Sequence, residues 1–119
     1  MMYRITIGTD ERYDGQQIIE SDRQNGIDEI CTCAAHWFGG FTRYDGQGGW
    51  VNPNGRVVTE RVITLAIACD ESCGAFLNSD DTAPDDTIIR FARWAGWKLG
   101  QHSVVVELPA GEVRFIECQ

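Results

Sequence analysis

From Val57 to Cys69 the side chains alternate in character. Ile63, Leu65, Ile67 and Cys69 fall on one side, and Glu60, Val62, Thr64, Ala66 and Ala68 on the other. Successive side chains of a strand point to opposite faces, so this segment reads as a strand with one oily face and one mixed face. Such a strand belongs in a sheet that is covered on one side and open on the other. That requirement limits the chain to a layered architecture in which helices pack on a single sheet face.

The remaining periodicities supply those layers. Tyr3, Ile5 and Ile7 alternate with Arg4, Thr6 and Gly8 and predict a first strand. A polar, turn-rich stretch follows from Thr9 to Gly15. Ile27, Ile30, Cys31, Ala34 and Phe38 recur at helical spacing and predict a helix that starts at Gln16 or Ser21 and ends near Phe38. Ser21 and Gln24 have capping-box spacing, and Gly39-Gly40 is a C-terminal stop. Gly26 weakens this helix by roughly 1 kcal/mol relative to alanine. Phe41 to Tyr44 predicts a short second strand, with Asp45-Gly46 and Asn54-Gly55 as turn signals. Asp70 to Asp81 reads as a polar loop from which Phe76 and Leu77 tuck back into the core. Thr82 then caps a second helix with Pro84, Asp85 and Asp86 in its first turn. Its buried stripe is Ile88, Phe91, Ala92, Ala95 and Leu99, and Gly100 ends it. Strands over Ser103–Leu108 and Glu112–Cys118 close the chain. The order β-α-β-β-α-β plus a terminal strand predicts a single α+β domain. It is the ferredoxin-like arrangement: an antiparallel sheet with two helices on one face and an extra C-terminal strand. The open face would be solvated or would pair with a second copy, making the protein a homodimer.

At 119 residues the chain suits one domain with one core. A net charge of −8 argues against binding long nucleic acid or an anionic membrane surface. No apolar run approaches the roughly 20 residues needed to span a bilayer, and the N-terminus has no signal-peptide pattern. The expected location is therefore the cytoplasm. Five cysteines, an odd number, predict reduced thiols there. The CxC pair Cys31 and Cys33 and the CxxxC pair Cys69 and Cys73 raise zinc binding, with His36 nearby, but knuckle spacing is missing. No metal or cofactor is expected. Phosphate-binding and metalloprotease motifs are absent too.

The segment Gly39–Glu60 holds six glycines, three aromatic residues and two arginines. Glycines permit tight turns and close backbone approach, arginine grips phosphate as a fork, and flat rings stack on bases. Arg43, Tyr44, Trp50, Asn52, Asn54 and Arg56, with Glu60 and Gln101, are the candidate binding residues for a small anionic or nucleotide-like ligand. The competing reading is a plain hairpin whose glycines make turns. Glu60 would more simply pair with an arginine across the sheet. Gln101, His102 and Ser103 would form only a helix-to-strand turn.

The succession GGFT (39–42), Gly49-Trp50, Asn54-Gly55, Glu60, then Gln101-x-Ser103-Val104 resembles a loose group of small uncharacterised proteins of bacteria and phages. These read as strand, helix, G-[FY]-T, a G-[WY] hairpin, a glutamate-bearing return strand, a second helix and Q-x-S-[VI]. The resemblance implies the same fold over residues 3 to 117 and a phage accessory or counter-defence role. It carries no known activity to these positions. Three functions follow as expectations. The first is a non-catalytic binder that sequesters a nucleotide immune signal. The second is an acidic inhibitor that occludes a basic surface of a host defence protein, drawing on Asp80, Asp81, Asp85, Asp86 and on Trp94 and Trp97. The third, least favoured, is an enzyme using Glu60, His36 or His102.

Overall fold

The computed structural model describes residues 1–70 and 83–119. The elements run β1 (Met2–Gly8), α1 (Glu20–Phe38), β2 (Thr42–Val51), β3 (Val57–Ala68), α2 (Pro84–Lys98), β4 (Ser103–Glu107) and β5 (Val113–Glu117). The strands form one sheet of order β2-β3-β1-β4-β5, antiparallel at every junction. This is the expected ferredoxin-like arrangement, with β5 added outside β4. The expected loop from residue 71 onward, the tuck of Phe76 and Leu77, the Thr82 cap and Cys73 lie outside the described residues.

Register places the oily rows together. Tyr3 pairs with Ile67, Ile5 with Leu65 and Ile7 with Ile63, and all six are fully buried. From above, Ile27, Ile30 and Ala34 of α1 and Ile88, Phe91, Ala92 and Ala95 of α2 pack onto them. Trp37, Phe38 and Trp94 ring Phe91 at centroid distances of 5.3 to 5.9 Å, a spacing that favours edge and tilted contacts. Two glycines set the layer spacing. A Cβ at Gly96 would collide with Cys118 Sγ and lie 2.7 Å from Val104. One at Gly26 would lie 2.8 Å from Leu99 Cδ2. So Gly26, which costs α1 helical propensity, is where Leu99 seats against it.

The second strand differs from expectation. It runs ten residues rather than four, and Asp45 and Gly46 are paired mid-strand with Ile63 and Val62. Every residue of β2 has a partner on β3, and that ladder outweighs a local turn preference. The turn falls at the other expected signal, Asn54-Gly55, within residues 52–56. There Asn52 Oδ1 accepts from the amides of Asn54 and Arg56, both at 3.0 Å, and Gly55 takes φ +80°.

Helix starts differ as well. α1 begins behind Ile19 and α2 behind Ala83, and neither residue makes a side-chain cap. Ser21 therefore lies inside the first turn of α1, beside Glu20 and Asp22, whose charges suit that end of the helix. The stops hold: Gly39 at φ +82° donates to the Ala35 carbonyl at 2.9 Å.

Cys69 and Cys118 are buried, while Cys31 and Cys33 are half-buried against the core. Burial raises the thiols of Cys31, Cys33 and Cys118 above the ordinary thiol value, which favours their protonated form. Among the described residues no three metal-ligating side chains converge. Nor is any helix of those residues long and apolar enough to cross a membrane.

Candidate ligand-binding cleft

Where β1 ends, the chain does not enter α1 directly. Residues 9–19 fold back on themselves as a small loop. Ile18 donates to the Asp10 carbonyl at 2.7 Å, Arg12 to Gln16 at 2.8 Å and Gly15 to Arg12 at 2.9 Å. One charged cluster anchors the loop base to the sheet. Arg61 donates to Asp10 Oδ1 at 2.6 and 2.8 Å, its own amide donates to Asp10 Oδ2 at 2.7 Å, and it reaches Glu20 at 3.0 Å. The Arg61 hydrogen bond holds the Asp10 carboxyl below its ordinary value. Buried Arg23 completes the base by donating to Thr9 Oγ1 at 3.0 Å.

The same loop is tied to the turn after α2. Tyr13 donates its amide to the Gly100 carbonyl at 2.7 Å. Gln101 is buried, and its Nε2 donates to the carbonyls of Glu11 at 2.8 Å and Leu99 at 3.1 Å. Gly100 is required there twice over. It has φ +65°, and a Cβ would lie 2.8 Å from Arg12 Nη1.

Between this loop, the α2–β4 turn and the β2–β3 hairpin lies a cleft of about 400 Å³. Its walls are Glu11, Arg12, Tyr13, Gly15, Trp50, Glu60, Gln101, His102 and Ser103. Trp50 is 47% exposed and Tyr13 is 55% exposed, and the Arg12 guanidinium lies over the Tyr13 ring, 5.9 Å from its centroid. Glu60 projects from the open face of β3 toward the floor. Its Oε2 accepts two long hydrogen bonds of 3.4 Å from the amides of Asp10 and Glu11. Burial raises the Glu60 carboxyl above its ordinary value, and those two long bonds offset the rise only in part.

Of the candidate residues from the sequence, Trp50, Glu60 and Gln101 come together in this cleft. The others do not. Arg43 lies farther along β2 and is forked onto Asp45 at 2.7 and 3.0 Å. Tyr44 stands exposed on the open sheet face opposite Thr64. Asn52 has its side chain committed to the hairpin turn, with Asn54 and Arg56 supplying the amides it accepts. The expected arginine pair of Glu60 is replaced by loop amides. The Thr9–Gly15 stretch reads from sequence as a polar turn and His102 and Ser103 as a helix-to-strand turn, yet these two segments supply most of the wall. Nothing periodic marks them. The one available signal was a tyrosine and an arginine set among turn formers directly after a strand.

No protein-family model and no curated protein matches this chain. Two solved structures share its fold. A phage SAM lyase in complex with S-methyl-5'-thioadenosine is 16% identical with a TM-score of 0.62, over 98% of this chain and 88% of that one. A phage SAM lyase in the apo state is 16% identical with a TM-score of 0.60, over 98% and 87%. At this identity the likeness is one of fold.

Proposed function

We propose that this chain is a phage-type protein that binds S-adenosylmethionine (SAM) in the Glu60 cleft and cleaves it to S-methyl-5'-thioadenosine. The observation that carries the reading is the end-to-end fold likeness to a phage SAM lyase holding that nucleoside, joined to a cleft whose chemistry suits such a ligand. Trp50 or Tyr13 stacks on adenine. Glu60 supplies a negative charge for a cationic ligand. Arg12, the one arginine in the wall, faces Asp14 at 3.8 Å. A net charge of −8 also favours a cation over an anionic nucleotide. The ligand thus differs in charge from the nucleotide signal first expected, while the small-ligand, nucleoside character is retained.

The reaction is a bond cleavage without water. The bond between the sulfonium sulfur and the γ-carbon breaks, its electron pair goes to sulfur, and the cation is discharged. The γ-carbon is satisfied within its own fragment: an oxygen of the substrate carboxylate bonds to it and closes a lactone as the carbon–sulfur pair leaves to sulfur. Purified protein incubated with SAM and followed by liquid chromatography tests this. Release of S-methyl-5'-thioadenosine supports the lyase reading. Calorimetric binding with SAM recovered intact supports sequestration without turnover. Neither binding nor release overturns both.

The open sheet face supports a homo-oligomer. Tyr44, Thr64, Thr6, Val105 and Phe115 form one transverse row across it, and Phe115 is 73% exposed. We place a second copy there. Occlusion of a basic host surface has less in its support, because the Tyr3 hydroxyl donates to Asp85 and both Asp85 and Asp86 complement the start of α2.

A further inference from the structure

Two oxygen atoms meet over Gly8. A Cβ at that residue would lie 2.5 Å from Glu60 Oε1 and 2.7 Å from Gln101 Oε1. Both atoms therefore crowd one point, and both are hydrogen-bond acceptors. The Gln101 amide has no freedom to turn away. Its Nε2 is held by two carbonyls, of Glu11 and Leu99, and flipping it would set its oxygen against both. So the carbonyl end of Gln101 is driven toward the carboxylate. Among the described residues no donor bonds either Glu60 Oε1 or Gln101 Oε1. Neither oxygen is sealed from solvent, so water serves both until a ligand that carries its own donors displaces it. Glycine at position 8 keeps the space between them free of a side chain.

Resting on the SAM reading of this cleft, we infer that the Glu60–Gln101 oxygen pair over Gly8 seats a primary ammonium group, the α-ammonium of the ligand's methionine part. An ammonium is compact and carries three donors, so it serves both oxygens at once. The sulfonium carries the same charge but no N–H, and it cannot satisfy Gln101. A metal ion is a poorer match, since no third metal-ligating side chain converges here among the described residues. Gln101 thus contributes selectivity, and its own orientation is set by the loop that closes the cleft.

The test compares three ligands on the intact protein: SAM and its 2-oxo analogue in which the ammonium is replaced by a keto oxygen, each by the KM of its cleavage or, where it is recovered intact, by calorimetric titration, and S-methyl-5'-thioadenosine by calorimetric titration. Wild type is expected to prefer SAM over the 2-oxo analogue by about tenfold or more. Gly8→Ala and Glu60→Gln should each shrink that preference toward unity, with the loss falling on SAM and not on S-methyl-5'-thioadenosine. The added methyl of Gly8→Ala must push aside both Glu60 Oε1 and the Gln101 carbonyl that its two hydrogen bonds hold in place, whereas Glu60→Gln keeps the shape of the side chain and decides the matter should Gly8→Ala fail to fold. Equal wild-type affinity for SAM and the 2-oxo analogue overturns the ammonium seat and leaves the nucleoside reading standing. A parallel loss for S-methyl-5'-thioadenosine also overturns it, by assigning the oxygens to the ribose or the base. Failure of all three ligands to bind overturns the SAM reading and the seat with it.

Discussion

Glu60 carries the most consequential single charge in the molecule. Its folded carboxyl titrates above its unfolded value because burial disfavours the ionised form. The folded state therefore bears a penalty that is complete above the folded pKa and absent below the ordinary glutamate value of the unfolded chain. Glu60→Gln is expected to raise the melting temperature at pH 7, with the gain fading as pH falls toward 4. Thermal melts of both proteins across that range check this, and an unchanged difference would refute it. Asp10 behaves in the opposite sense. Its folded carboxyl is lowered by Arg61, so its contribution is present above the unfolded pKa and is lost as pH falls through the folded one. Acidification therefore loosens the base of the 9–19 loop while relieving the cleft floor. Cation binding should weaken over the same range, because a protonated Glu60 no longer attracts it.

At the level of elements, the glycines on the inner faces of the helices decide how closely the layers approach. In an exposed helix Gly96→Ala would stabilise by about 1 kcal/mol through propensity. Here the methyl group would run into Cys118 and Val104, and overpacking costs about 1–3 kcal/mol. Net destabilisation of up to about 2 kcal/mol is expected from these terms, readable as a lower urea midpoint at unchanged slope. A stabilised variant would show that α2 slides freely on β4 and β5. The β2–β3 hairpin shows the converse. Asp45-Gly46 has strong local turn chemistry, yet strand pairing over ten residues carries the chain past it to Asn52. Propensity yields where a ladder is available and prevails where the ladder ends.

Among the described residues the sheet has one covered face, and the other face is open to a partner. Phe115 stands 73% exposed at its β5 edge. If the proposed second copy sits on this face, wild type is expected to be larger than a monomer by light scattering and Phe115→Glu monomeric, with the melting temperature of the monomer itself not lowered. A wild type that is already monomeric would refute the placement of a second copy. The sequence by itself determined the element order, the two faces of β1 and β3, the inward stripes of both helices and the α1 stop at Gly39. Each of these rests on neighbours a few residues apart and on the fixed periods of strand and helix. Of the candidate residues named from sequence, the structure brings Trp50, Glu60 and Gln101 to one cleft, whereas the side chains of Arg43 and Asn52 are satisfied by their own neighbours. Only the tertiary structure decided that Glu60, Gln101, Gly8 and the 9–19 loop share one cleft. Their meeting depends on strand register and on hydrogen bonds such as Gln101 to Glu11, which span 90 residues of chain. No local pattern encodes a contact between such distant positions.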